Sequence, residues 1–153
     1  MLETKNNLKD DTVEGLKKIV KMNIDASKGF AEVADKIEDP SLASTFRSAS
    51  TQRAGFASEL KGALSLNDEE IPEDGTTLGS FHRSWIDLRA ALNGGDTKAM
   101  LTEASRGESS LVDTYESVLE DTAGSPLNAT LHDQLTSVCS MRRSLDALKE
   151  KCD

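Results

Sequence analysis

Four segments of the chain carry apolar side chains at alternating steps of three and four residues, and this spacing most constrains the fold. Such steps keep one face of an α-helix apolar along its whole length. Four such faces are buried together when the helices pack nearly antiparallel, whereas no segment alternates with the period of a β-strand. The sequence therefore predicts an all-α four-helix bundle. The four stripes are Val13, Leu16, Val20, Asn23, Ser27, Phe30, Ala34 and Ile37; Leu42, Phe46, Ala49, Arg53, Phe56, Leu60 and Ala63; Leu101, Ala104, Glu108, Leu111, Tyr115 and Val118; and Leu131, Leu135, Val138, Arg142 and Leu145.

Capping and turn residues predict where the helices begin and end. Asp39 is a good N-cap, and Pro40 suits the first position of a helix because the amide proton that it lacks has no partner there. Gly95 ends one helix and Asp96 caps the next, while Pro126 opens the last. The predicted helices are about residues 12–37, 41–64, 78–92, 97–121 and 126–149, within one domain of residues 1–153.

The connection between the second and third long helices carries a short helix of its own. Its apolar positions again follow helical spacing, so this helix is expected to lie against the bundle. Phe81 and Trp85 are the predicted anchors of this contact. The full stripe is Leu78, Phe81, Trp85, Leu88 and Leu92.

Charge and apolar run lengths argue against two classes of partner. The chain has 27 acidic and 18 basic residues, a net charge of −9, which repels the phosphates of nucleic acid and anionic lipid. No apolar run approaches the roughly 20 residues that span a bilayer, and residues 1–11 lack the apolar stretch of a secretory signal. Cys139 and Cys152 have no metal-type spacing, so free thiols and a cytoplasmic location are expected. We therefore expect no nucleic-acid or membrane partner, and a homo-oligomer or a protein partner instead.

Polar residues interrupt every stripe near its middle and predict a buried polar layer. The layer comprises Asn23, Ser27, Arg53, Glu108 and Arg142. In one interpretation, a guanidinium of this layer binds the Glu108 carboxylate in a bidentate fork, in the space that a metal fills in di-iron bundles. In the other, one or both arginines lie at the edge of a stripe and extend outward along their methylene stems. The sequence leaves both interpretations open.

No catalytic or metal-binding motif accompanies this layer. Di-iron bundles take Glu-x-x-His from two helices, since that spacing turns both side chains to one point, and the chain contains no Glu-x-x-His. His82 and His132 follow Phe81 and Leu131, so they are expected beside a stripe and not within it. We therefore predict no catalytic residues, no metal ligands and no cofactor.

Three segments suggest a family. DASKGFAEVAD at residues 25–35, FHRSWIDL at residues 81–88 and RGESSLVDTY at residues 106–115 resemble landmarks of an uncharacterised bacterial family of short ferritin-like four-helix-bundle proteins. The resemblance runs from about residue 12 to about residue 149. It implies the ferritin-like order of a helical hairpin, a crossover and a second hairpin in a bacterial cytoplasmic protein, and it implies no reaction.

The ligands of di-iron relatives in the wider ferritin-like superfamily carry over poorly. The glutamate of the first helix corresponds to Asn23, and the Glu-x-x-His positions of the second helix correspond to Arg53 and Phe56. Glu108 corresponds to the glutamate of the third helix, and Arg142 to the histidine of the fourth. The resemblance therefore implies a degenerate metal site.

Two functions compete on this basis. The first is a non-enzymatic bundle, an interaction or stress-related module that acts through its surface. The alternative is an atypical ferritin-like metalloprotein that binds iron or another divalent metal through Glu108 and nearby carboxylates. Metal analysis separates the two.

Overall fold

The chain is helical throughout most of its length. The computed structural model describes residues 2–75 and 80–152. Within these ranges there are five α-helices and no β-strand beyond an isolated bridge. The prediction of an all-helical fold is therefore confirmed. The helices are α1 (Asp10–Lys36), α2 (Pro40–Leu66), α3 (Ser80–Asn93), α4 (Thr97–Asp121) and α5 (Asn128–Glu150).

Two aspartates cap helices as their sequence context predicts. Asp39 Oδ1 accepts hydrogen bonds from the backbone amides of Ser41, at 2.9 Å, and Leu42, at 3.3 Å. Asp96 Oδ1 accepts one from the amide of Ala99 at 3.0 Å. These bonds satisfy amide protons that have no partner inside the helix, and the carboxylate charge is favourable at the positive end of the helix dipole. The caps therefore define the starts of α2 and α4.

The last helix begins later than predicted. Pro126 does not open it, because residues 122–127 form a turn before α5 starts at Asn128. In this turn the Ser125 amide donates to the Thr122 carbonyl at 3.0 Å. The Asn128 side chain donates to the same carbonyl, also at 3.0 Å. Both donors hold the turn at the Thr122 carbonyl, and the Gly-Ser-Pro pattern alone does not predict the bond from Asn128. Leu78 and the predicted start of the short helix lie outside the described residues, so that start stays a prediction.

Side-chain contacts give the relative directions of the long helices. Asn67, just after α2, accepts a hydrogen bond from the amide of Leu8, just before α1, so α1 and α2 run antiparallel. In α4 and α5, Ser105 pairs with Asp146 and Tyr115 pairs with Gln134, and this reversed order makes them antiparallel as well. The two hairpins face each other, with α1 packed against α4.

Helix α3 packs against α1 and α4 through its aromatic side chains. Trp85 is 5% exposed and lies beside two glycines, Gly29 of α1 and Gly107 of α4. A Cβ atom on Gly29 would stand 2.3 Å from the indole ring, so the ring fits only because that side chain is missing. Trp85 and Phe30 meet in a T-shaped arrangement with ring centroids 5.1 Å apart, and Phe81 meets Trp85 in the same way at 6.0 Å. Trp85 thereby joins α3 to the core of the bundle.

Candidate functional site

An ion pair between α2 and α4 lies at the centre of the bundle. Arg53 Nη1 donates to Glu108 Oε1 at 3.0 Å, and Arg53 Nη2 donates to Glu108 Oε2 at 2.8 Å. The two side chains are 0% and 1% exposed. Two parallel charge-assisted hydrogen bonds make this the strong bidentate form of the interaction, and they engage both carboxylate oxygens.

Two aromatic rings flank the Arg53 guanidinium. Its central carbon lies 5.7 Å from the centroid of Phe30 and 5.9 Å from that of Phe56. Cations are attracted to the faces of aromatic rings, and the attraction is stronger where water is excluded. Arg53 Nε is buried and has no hydrogen-bond partner among residues 2–75 and 80–152. The guanidinium is therefore held by Glu108 and by the rings, while its Nε–H has no partner among these residues.

A second polar chain crosses the core from α1 to the surface of α2. Asn23 Nδ2 donates to the Tyr115 hydroxyl at 3.0 Å, and that hydroxyl donates to Gln134 Oε1 at 2.6 Å. Gln134 Nε2 donates in turn to Glu59 Oε1 at 2.8 Å. Asn23, Tyr115 and Gln134 are buried, whereas Glu59 is exposed. The chain thus joins all four long helices and links a buried phenol to a surface carboxylate.

Helical spacing places the ion pair and the second polar chain at two different levels of the bundle. Glu108 and Tyr115 are seven residues apart on α4, so they share one face two turns apart. The apolar Leu111 lies between them on the same face and is fully buried. The polar groups are therefore surrounded by apolar packing, which is why each needs its partner.

The predicted layer divides into interior and edge residues. Asn23, Arg53 and Glu108 are at most 1% exposed. Ser27 is only half-buried, and its hydroxyl lies 3.3 Å from the Ser50 hydroxyl of α2. Arg142 is also half-buried, on the flank of α5. Of the two interpretations of the arginines, Arg53 fits the buried fork and Arg142 fits the edge position.

Burial dominates the titration of the site. It raises the pKa of the Glu108 carboxyl from 4.5 to about 7, while the charges of Arg53 and then Arg142 act in the lowering direction. Burial also raises the pKa of the Tyr115 hydroxyl far above its ordinary value, so this group stays protonated. Loss of solvation disfavours the charged form of an acid, and a nearby cation favours it. Glu108 therefore titrates near neutral pH.

We expect Arg142→Gln to raise the pKa of Glu108 further, because the substitution removes a positive charge that lowers it. The measurement is a pH titration followed through the ¹³C signals of the glutamate carboxyl groups. Arg143→Gln is the matched control, since Arg143 is exposed on the next position of α5. A Glu108 pKa that is unchanged or lower in Arg142→Gln would show that Arg142 does not act on this carboxyl.

The described residues do not assemble a metal site. Among residues 2–75 and 80–152, no group of three or more His, Cys, Asp and Glu side chains is arranged to hold a metal ion. His82 is half-buried on α3 and His132 is exposed on α5. Both oxygens of Glu108 are engaged by a cation. This arrangement does not fit a di-metal centre, which needs several carboxylates with free lone pairs.

Sequence reasoning missed three members of the second polar chain. The apolar stripe of α4 includes Tyr115, although its hydroxyl is a buried donor and acceptor. Gln134 and Glu59 each directly precede a stripe residue, Leu135 and Leu60, and are not part of the stripes themselves. The available signal was Tyr115 itself, because a buried tyrosine hydroxyl needs a hydrogen-bond partner.

One comparison with known proteins gives a match. A family model described as "Domain of unknown function (DUF2383)" matches residues 11–121, which extend from α1 to the last residue of α4. The match includes Asn23, Arg53, Glu108 and Tyr115, but not α5. Neither the curated proteins nor the solved structures contain a match. In the part of the chain that is described, no helix has both the length and the apolar character required to cross a membrane.

Proposed function

Because the chain belongs to the family described as "Domain of unknown function (DUF2383)", which assigns no reaction, we propose a function from the geometry at Glu108. The protein is a non-enzymatic helical bundle that acts as an interaction or stress-related module. An ion pair occupies its degenerate metal site. The observation that carries this proposal is the fork of Arg53 on both oxygens of Glu108, at 3.0 and 2.8 Å.

The proposal includes a ferritin-like topology for a single domain of residues 1–153. Two antiparallel hairpins, α1 with α2 and α4 with α5, support it. The connections within the hairpins are short, whereas the connection between them carries α3. In this topology α3 is the short helix of the crossover. The bacterial origin that the resemblance implies belongs to the same proposal.

Electrostatics support the proposal that the ion pair takes the place of a metal. A divalent cation at Glu108 would have to displace the Arg53 guanidinium, which is buried, flanked by rings and always protonated. Arg142 adds a second positive charge that acts on the same carboxylate. Like charges at short distance repel strongly in a medium of low dielectric. The centre of the bundle is thus built to hold a carboxylate with arginine.

The test is metal analysis of protein purified without chelator, followed by titration with Fe²⁺, Mn²⁺ and Zn²⁺. We expect far less than one metal per chain and no binding that depends on Glu108. The matched variant is Glu108→Ala. One metal per chain that is lost in Glu108→Ala would overturn the proposal and favour the alternative, an atypical metalloprotein that uses Glu108 and nearby carboxylates.

The proposed action through the surface needs contact residues, and large apolar side chains are exposed. Leu2, Leu66 and Ile86 are 84%, 61% and 49% exposed, and each is large enough to contribute to a contact. We propose a second copy or another protein as the partner, in the cytoplasm, with nucleic acid disfavoured by the net charge of −9. Size-exclusion chromatography with light scattering tests the second-copy version; a monomer at all concentrations contradicts it.

A further inference from the structure

Helix α3 lies outside the four long helices and is attached by one side of its surface. It packs against α1 and α4. Phe81, Trp85 and Leu88 are buried, at 6%, 5% and 1% exposure, and form the attached side. Ile86, on the opposite side, is 49% exposed. Because α1 and α4 also pack directly against each other, α3 covers a groove between two helices that have a contact of their own.

The anchor of α3 carries an unfavourable feature. Trp85 Nε1 is buried and has no hydrogen-bond partner among residues 2–75 and 80–152. A buried donor without a partner loses the hydrogen bond that it makes with water. Undocking of α3 returns this donor to water. The docked state therefore includes a cost that most buried tryptophans avoid.

Side-chain contacts link the anchor to the ion pair. Trp85 meets Phe30 at 5.1 Å, and Phe30 is fully buried. The Arg53 guanidinium lies 5.7 Å from the centroid of the same ring. Arg53 in turn holds both oxygens of Glu108. The Phe30 ring therefore contacts both the indole of α3 and the guanidinium at the centre.

We propose that α3 is a latch: its Trp85 closes the groove between Gly29 and Gly107, and its release admits water to Phe30 and the Arg53–Glu108 pair. The latch gives a partner that binds α3 a way to change the interior of the bundle. It rests on the ion pair of the proposed function and adds a regulation of that pair.

Release of the latch changes the protonation of Glu108. The charged groups that act on this carboxyl are Arg53 from α2 and Arg142 from α5, and the neutral Tyr115 hydroxyl interacts with it from α4. None of them lies on α3. The contribution of α3 is to exclude water, so its release weakens the effect of burial. The pKa of Glu108 should then fall from about 7 toward 4.5.

The first arm of the test uses the unmodified protein. Trp85 is the only tryptophan of the sequence, so acrylamide quenching of its fluorescence reports the exposure of the anchor. Amide hydrogen exchange reports the opening of each helix. We expect amides of α3 to exchange at least about 100-fold faster than those in the middle of α1, through a local opening. Equal protection in α3 and α1 would overturn the latch.

The second arm uses Trp85→Ala, with Ile86→Ala as the matched control on the exposed side of α3. We expect the Glu108 pKa to fall in Trp85→Ala and to stay near 7 in the control. Gly29→Ala, which displaces the indole without removing it, replaces Trp85→Ala if that variant does not fold. An unchanged Glu108 pKa in the variant used would overturn the latch. Both arms report α3 whatever occupies the centre, so failure of the latch is distinguishable from failure of the proposed function, which metal analysis decides.

Discussion

Arg53→Met is expected to lower the free energy of unfolding by about 3–5 kcal/mol at pH 8, because it leaves the Glu108 carboxylate buried without its partner. The loss should depend on pH. The folded pKa of Glu108, about 7, lies above its unfolded value of 4.5, so its contribution to stability is fully present below pH 4.5 and declines as the pH rises through 7. Arg53 is the stronger of the two charges that lower this pKa. Without it the folded pKa rises further, and the loss grows above pH 7. Urea unfolding at pH 6 and pH 8 measures both effects.

A double variant separates the ion pair from the packing around it. In Arg53→Met with Glu108→Leu, no charge remains at the centre, and apolar replacements of buried pairs are often neutral or stabilising. We therefore expect the double variant to recover most of the stability lost in Arg53→Met. Arg47→Met is the matched control, since its side chain on α2 is 61% exposed and should change stability by less than about 0.5 kcal/mol. A double variant as unstable as Arg53→Met would show that packing, and not charge, causes the loss.

The second large effect is expected for Gly29→Ala, which should lower the free energy of unfolding by about 1–3 kcal/mol. Its new Cβ would stand 2.3 Å from Cε3 and 2.6 Å from Cζ3 of Trp85. The indole cannot move away easily, because Phe30 and Phe81 pack against it. Urea unfolding gives the stability, and a red shift of Trp85 fluorescence would report the displaced ring.

Gly55→Ala is the matched control for this substitution. Gly55 is an exposed glycine within α2, and a Cβ added there meets no other atom within 4 Å. Alanine is the better helix former, so this variant should gain about 0.5–1 kcal/mol. The two glycine-to-alanine changes thus have opposite expected signs. A gain in Gly29→Ala as well would show that Trp85 does not occupy the space beside Gly29.

The helical fold is predictable because local signals and burial agree. The apolar stripes mark the faces that pack together, and Asp39 and Asp96 cap the helices that they precede. The start of α5 was less predictable, since the turn before it depends on the Asn128 side chain bonding to Thr122. Such a bond between a side chain and the backbone leaves no periodic pattern in the sequence.

The members of the candidate site were predictable only in part, and its geometry was not. Polar residues within the apolar stripes are buried at Glu108 and Arg53, whereas Ser27 and Arg142 are only half-buried. The stripe does not say which arginine reaches the carboxylate, because Arg53 and Arg142 both have suitable spacing. That choice depends on how α2 and α5 approach α4, and long-range packing decides it. The contact of Trp85 with Gly29 has the same origin, since it joins residues on separate helices.

The centre of the bundle can be observed directly in a crystal structure of protein purified without chelator, with anomalous diffraction measured above the iron absorption edge. We expect the Arg53 guanidinium on both oxygens of Glu108, at 2.8 to 3.0 Å, and no anomalous peak beside them. A metal bonded to the Glu108 carboxylate at about 2.0–2.2 Å, with Arg53 turned away, would contradict this expectation.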